Sequence, residues 1–122
     1  MSAARPLVVI IEDDKHSADA LALILTDWGA DVVHGASPKE ALEALGSRAD
    51  AVGWIITDFH LGPGPDGVSL LPTLARAAPR ARILVLSGSS HGRANSAAAR
   101  AGLELMRKPA RAEAIVAWLE RG

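Results

Sequence analysis

The sequence contains no cysteine and no tyrosine, and aromatic residues make up only 3% of its 122 residues. The absence of cysteine excludes a disulfide framework and a thiolate metal site. No apolar run approaches the roughly 18 residues that suggest a membrane span, and no secretory signal peptide is recognisable. The formal net charge of −1 is not the basic excess typical of nucleic-acid-binding proteins. We therefore expect a soluble, cytoplasmic protein without direct nucleic-acid or membrane contacts.

Short apolar runs alternate with helical patterns along the whole chain. Strands are predicted near 7–11, 31–34, 51–57 and 82–87, with a weaker one near 103–107. Their nearly continuous hydrophobicity is typical of a parallel sheet that is covered on both faces. Hydrophobic residues make up 49% of the sequence, so one domain can bury a sufficient core.

Helical patterns fill the segments between these runs. The first ends at Gly29, and the second begins with Ser37 as a cap and Pro38 at the first helical position. Further helices are predicted at about 67–77, 92–101 and 111–121. Strict alternation of five strands and five helices indicates an α/β fold: a doubly wound, five-stranded parallel sheet in a flavodoxin-like (βα)5 three-layer sandwich. We interpret residues 1–122 as a single domain.

Polar and charged residues stand where four of the apolar runs end. Glu12, Asp13 and Asp14 follow the first run, Asp58 follows the third, Ser87 ends the fourth, and Lys108 follows the last. Because parallel strands end at one edge of a sheet, these groups are expected to meet where open α/β sheets bind ligands. Facing carboxylates repel one another, so a divalent cation and one lysine are needed to hold them together.

This set of residues suits phosphoryl chemistry. Mg2+ prefers oxygen ligands, typically one or two carboxylates with waters and phosphate oxygens. Asp58 beside such an ion and Lys108 is a plausible nucleophile towards phosphorus, and the Ser87 hydroxyl could hydrogen-bond a phosphoryl oxygen. The simpler interpretation of the acidic run alone is a solvated helix entrance, since acidic residues favour the first turn of a helix.

The chain resembles a response-regulator receiver domain, the phosphoacceptor domain of two-component signalling, along nearly its whole length. Glu12 and Asp13 match the acidic pair of that family, and Asp58 matches its phosphoacceptor. Ser87 matches the switch hydroxyl, and Lys108 matches the invariant lysine.

The resemblance implies a Mg2+ ion held by Glu12, Asp13, Asp58 and the backbone carbonyl of His60. It implies a phosphoryl group taken from a phosphohistidine of a histidine kinase or a histidine phosphotransfer protein. Such a domain catalyses its own phosphorylation and dephosphorylation and is not an enzyme acting on a separate substrate. We expect a stand-alone receiver or one from a hybrid histidine kinase, in a two-component system or phosphorelay, as a monomer or weak dimer.

Three positions depart from the family pattern. Asp66 lies eight residues after the acceptor instead of seven, Leu105 replaces the usual aromatic switch residue, and Ala110 replaces a larger residue. Leu105 and the Gly/Pro-rich loop before Asp66 favour a relay or sink role.

The remaining histidines and the tryptophans are given structural roles. Three histidines lack metal-ligand spacing and are interpreted as ordinary surface or loop residues: His16, His34 and His91. The tryptophans, Trp28, Trp54 and Trp118, are expected to pack in or beside the core. Among them, Trp118 on the last helix is the candidate for a partner interface.

Two alternatives stay open. One is a pseudo-receiver, an interaction module that is never phosphorylated, although both the acceptor and the lysine are present. The other is a flavodoxin-like cofactor-binding protein of the same fold. The three acidic residues from Glu12 to Asp14 would repel the phosphate that such proteins bind on their first loop.

Overall fold

The computed structural model describes residues 5–58, 75–87, 104–108 and 110–121. Its strands are β1 (Leu7–Ile11), β2 (Asp31–Gly35), β3 (Trp54–Asp58), β4 (Arg82–Ser87) and β5 (Glu104–Arg107). Its helices are α1 (Lys15–Trp28), α2 (Pro38–Leu45) and α3 (Ala112–Glu120), with a 3-10 helix at Gly46–Ala51. Residues 75–77 are also helical.

The five strands form one parallel sheet in the order β2-β1-β3-β4-β5. This confirms the predicted doubly wound architecture. The register pairs Ile11 with Thr57 and Ser87 with Arg107, so neighbouring strands end at similar levels. The carboxyl ends of β1, β3 and β5 therefore meet at one edge of the sheet.

Two apolar clusters cover the two faces of the sheet. One face packs against α2 through Ala41 and Leu45. The other packs against α1 and α3, with Leu25 and Ile115 among its buried residues. Every residue of β1 is buried, as its continuous apolar sequence predicts for a strand covered on both faces. Among the described helices, none is long and apolar enough to cross a membrane.

Local sequence signals set the ends of α1 and α2. Gly29 ends α1 with φ of 112°, a left-handed conformation that glycine adopts without a steric penalty. The Ser37 hydroxyl accepts a hydrogen bond from the backbone N–H of Glu40 at 3.2 Å, and Pro38 opens α2. These contacts agree with the predicted helix boundaries.

The third strand begins later than its apolar pattern predicts. Residues near 51–57 were expected to form it, but Ala51 ends the 3-10 helix and β3 begins at Trp54. Val52 is fully buried in the core, although its N–H bonds the carbonyl of Ala49 at 3.3 Å and not a neighbouring strand. The apolar sequence correctly indicates that this segment is buried, but it cannot show whether a buried segment forms a turn or a strand.

Two predicted helices fall mostly outside the described residues. Of the helix expected at about 67–77, only residues 75–77 are described, and these are helical. The helix expected at about 92–101 lies entirely outside the described residues.

Trp118 is buried in the core, as expected of the tryptophans, so its candidacy for a partner interface is wrong. Its side chain is 0% exposed, and its indole N–H donates to the carboxylate of Glu104. The Arg82 guanidinium lies 5.1 Å from the centroid of the Trp118 ring and donates to the Trp118 carbonyl at 3.0 Å. Trp118 thus joins α3 to the beginnings of β4 and β5.

The prediction that Trp28 and Trp54 pack beside the core is confirmed, because their half-buried rings meet edge to face at 5.5 Å.

Candidate functional site

A lysine and two carboxylates form an ion-pair cluster at the carboxyl edge of the sheet. The Lys108 ammonium lies 3.1 Å from a carboxylate oxygen of Asp58 and 3.3 Å from one of Glu12. Glu12 follows β1, Asp58 ends β3 and Lys108 follows β5, so three strands place these groups together. The Glu12 and Asp58 side chains are 7% and 14% exposed, and burial strengthens their interaction with the lysine.

Asp13 adds a third carboxylate to this cluster. One oxygen each from Glu12, Asp13 and Asp58 lies within 4.8 Å of the others. Asp13 is exposed, so a bound ion could keep water ligands on that side. Among the described residues, the buried Oε2 atom of Glu12 has no hydrogen-bond partner. Three carboxylates, one of which has a buried oxygen without a hydrogen-bond partner, are suitable ligands for a hard divalent cation.

The electrostatics show that the cluster carries excess negative charge without a cation. Burial, the charge of Asp58 and a hydrogen bond to Asp58 together raise the pKa of Glu12 from 4.5 to about 7. Lys108 only partly opposes this shift. Burial by itself lowers the pKa of Lys108, but the hydrogen bond and charge of Asp58, with Glu12, raise it overall. One lysine therefore does not balance the carboxylates, and a divalent cation would.

The three residues of the acidic run have different roles: Asp14 caps α1, whereas Glu12 and Asp13 belong to the site. Asp14 caps α1, where its carboxylate accepts hydrogen bonds from the His16 backbone N–H at 3.0 Å and the Ser17 hydroxyl at 3.2 Å. These bonds lower the pKa of Asp14. The helix-entrance interpretation thus describes Asp14, while Glu12 and Asp13 turn to the site.

Of the other predicted site residues, Ser87 and Leu105 are described by the structure, and His60 and Asp66 are not. Ser87 ends β4 at the same edge of the sheet, paired in register with Arg107. Leu105 lies in β5 opposite Val85, half-buried against the core cluster beneath α2. His60, with its predicted carbonyl ligand, and Asp66 lie outside the described residues.

Sequence reasoning missed a contact made by His34, which was expected to be an ordinary surface histidine. Its Nε2 atom lies 2.7 Å from the backbone carbonyl oxygen of Glu12. His34 occupies the next-to-last position of β2, beside the strand that carries the acidic pair. Only the pairing of β2 with β1, which the linear pattern does not reveal, could have indicated this contact.

The stability of the cation-free protein is expected to fall as pH rises from about 4.5 to about 7. Glu12 titrates at about 7 when folded and near 4.5 when unfolded, so the folded protein holds its proton more tightly across this window. The stabilisation is complete below the lower value and lost as pH rises through the upper one, at a cost of about 3 kcal/mol. Urea unfolding in the presence of a chelator, at several pH values, measures this dependence.

Glu12→Gln is the matched control for this pH dependence. The amide does not titrate, whereas every other ionisable group of the protein is unchanged. The free energy of unfolding of the variant is expected to vary less between pH 5 and 8. Equal pH dependence in the two proteins would contradict the raised pKa of Glu12.

Comparisons with known proteins identify the family of the chain. A family model described as the response regulator receiver domain matches residues 8–120. A response regulator from Burkholderia pseudomallei, solved with a phosphorylated aspartic acid, a calcium ion and citrate, is 33% identical with a TM-score of 0.80. That match covers 94% of this chain and 66% of the other, so the chain spans about two thirds of that protein.

Two more distant structures share the fold. A CheY-like receiver domain protein from Methanospirillum hungatei is 19% identical with a TM-score of 0.82, over 97% of this chain and 93% of that one. The CheX–CheY complex with BeF3 and Mg2+ from Borrelia burgdorferi gives 18% identity and a TM-score of 0.81, over 95% and 87% of the two chains. No curated protein sequence matches the chain.

Proposed function

Because the chain belongs to the response regulator receiver family, we propose that it accepts a phosphoryl group from a phosphohistidine onto Asp58. The observation that carries this proposal is the contact of the Lys108 ammonium with both Asp58 and Glu12, at 3.1 and 3.3 Å. It joins the ends of three strands into one site with a nucleophile and a charge that can stabilise phosphoryl oxygens. The acidic cluster of Glu12, Asp13 and Asp58 suits Mg2+ as the cation.

The transfer exchanges one bond to phosphorus for another. A carboxylate oxygen of Asp58 attacks the phosphorus atom, the P–N bond to the donor histidine breaks, and the released imidazole takes up a proton. Lys108 neutralises charge on the phosphoryl oxygens, because its ammonium already contacts the attacking carboxylate. Mg2+, when bound, would neutralise further charge on these oxygens. As part of the same proposal, Ser87 hydrogen-bonds a phosphoryl oxygen, and the backbone carbonyl of His60 is a further ion ligand.

The donor in this proposal is a histidine kinase or a histidine phosphotransfer protein in the cytoplasm. The chain acts as a single receiver domain over residues 1–122, and water later removes the phosphoryl group at the same site. A relay or sink role in a phosphorelay is supported by Leu105, which has no polar group to exchange hydrogen bonds during switching. We propose a monomer or weak dimer.

The two alternatives account less well for the site. A pseudo-receiver has no need for an acceptor, a lysine and a cation cluster in contact, yet all three occur together here. In a flavodoxin-like protein, the first loop would hold a phosphate, but Glu12 and Asp13 place two carboxylates there.

Phosphorylation by a small phosphodonor tests the proposed function. The chain is incubated with acetyl phosphate, with Mg2+ or with a chelator, and its intact mass is recorded. A gain of one phosphoryl group that depends on Mg2+ is expected. No gain in either condition would favour the pseudo-receiver interpretation.

Phosphorylation is expected to change the surface around Leu105 only slightly. An aromatic switch residue changes position when the switch hydroxyl turns towards the phosphoryl group, whereas Leu105 already packs half-buried against the core. A ligand shifts populations only by interacting differently with two states, and two leucine positions differ little in energy. NMR amide shifts on adding a phosphoryl mimic should be concentrated in residues 59–67 and 87–92. Equally large shifts at residues 103–106 and on the outer side of α3 would contradict the relay or sink role.

A further inference from the structure

The backbone of Glu12 is held at two points by the end of β2. Its N–H donates to the carbonyl of Gly35 at 3.1 Å, which extends the ladder between β1 and β2 by one bond. Its carbonyl oxygen lies 2.7 Å from Nε2 of His34. Because a carbonyl only accepts, the imidazole is the donor, and its proton must lie on Nε2. A side chain thus supplies the hydrogen bond where the ladder ends.

This hydrogen bond fixes the peptide group that joins Glu12 to Asp13. A planar peptide has no free rotation about its C–N bond, so fixing the carbonyl also fixes the direction in which the Asp13 Cα leaves β1. The Glu12 side chain has a second constraint, since it is buried and contacts Lys108. Asp13 is exposed, and its carboxylate makes no hydrogen bond or ion pair among the described residues. The orientation of Asp13 therefore depends on its backbone.

We propose that His34 is a positioning residue for the cation site. By donating to the Glu12 carbonyl, it holds the peptide that directs the Asp13 carboxylate towards Glu12 and Asp58. The inference rests on the proposed function, because the site must bind a divalent cation. It adds a residue of the edge strand that contacts neither the cation nor the phosphoryl group. His34 acts on the cation affinity through its hydrogen bond to the Glu12 carbonyl.

An NMR titration with Mg2+ alone tests the role of His34. The affinity is measured from the amide shifts of the acidic pair in the parent and two variants. His34→Phe keeps a ring but has no donor, whereas His34→Gln places an amide N–H close to the position of Nε2. We expect His34→Phe to bind Mg2+ about 3- to 10-fold more weakly, the effect of losing one backbone-directed hydrogen bond, and His34→Gln to restore most of the affinity.

The matched control is Asp31→Asn, an exposed change at the other end of the same strand, which should leave the affinity unchanged. If His34→Phe does not fold, His34→Ala takes its place.

The titration distinguishes a failure of the proposed function from a failure of the role proposed for His34. A parent protein that does not respond to Mg2+ overturns the proposed function and the role of His34 with it. A parent that binds Mg2+, with the donor-free variant binding within twofold of it, overturns the role of His34 alone. An affinity lost equally in His34→Phe and His34→Gln would also overturn it, because the hydrogen-bond donor would then be irrelevant.

Discussion

Asp58→Asn is expected to abolish the gain of one phosphoryl group in the presence of Mg2+ and a phosphodonor. The asparagine amide is a far weaker nucleophile than a carboxylate and cannot form an acyl phosphate. It also removes one of the three acidic oxygens near the cation site and one of the two contacts of Lys108. We expect at least a 100-fold loss of phosphorylation, the scale on which loss of a reacting group lowers an enzymatic rate. Intact mass at a fixed incubation time measures it.

The control for Asp58→Asn is Asp50→Asn. Asp50 is an exposed carboxylate in the 3-10 helix that precedes β3, at the opposite end of that strand from Asp58. Its substitution should leave the mass gain at the parental level. Circular dichroism should show that both variants keep the fold. A full phosphoryl gain in folded Asp58→Asn would show that another residue is the acceptor.

Trp118→Ala is expected to cause the largest loss of stability among single substitutions outside the site. The indole is completely buried against the face of the sheet that α1 and α3 cover. Replacing such a ring by alanine removes its apolar burial and leaves a cavity, at a cost of about 3–5 kcal/mol. The change also removes the aromatic face beneath Arg82 and the indole donor to Glu104. Urea denaturation monitored by far-ultraviolet circular dichroism gives the free energy of unfolding.

Two further variants separate burial from the polar contacts of Trp118. Trp118→Phe keeps an apolar ring but has no N–H, so it should lose less stability than the alanine variant. It also provides a folded protein if Trp118→Ala does not fold. Leu23→Ala truncates an apolar side chain that is 73% exposed and should change stability by less than about 0.5 kcal/mol. A loss in Trp118→Ala no larger than in Leu23→Ala would contradict the packing described here.

The sheet and the charged edge could be predicted because both follow from local sequence signals. Five apolar runs predicted the strands, and parallel pairing brings their carboxyl ends to one edge, which is how Glu12 meets Asp58 and Lys108. The cap at Ser37 and the left-handed Gly29 could also be predicted, because these signals act over a few residues.

Features that depend on contacts between distant segments could not be predicted in the same way. Trp118 was considered a candidate for an interface because its position in the pattern does not show that Arg82 and Glu104 enclose it from two other strands. The contact of His34 with the Glu12 carbonyl depends on the register between β2 and β1. Val52 illustrates the same limit, since hydrophobicity reports its burial and not its backbone conformation.

The position of the phosphoryl group is the most direct test of the proposed chemistry. The chain is phosphorylated with acetyl phosphate and Mg2+, the acyl phosphate is reduced with borohydride, and peptides are sequenced by mass spectrometry. Reduction converts a phosphorylated aspartate into homoserine and leaves a phosphorylated serine or histidine unreduced. The proposal predicts homoserine at position 58 and at no other aspartate. Homoserine elsewhere, or a phosphoryl group retained on Ser87 or His60 with position 58 unmodified, would contradict it.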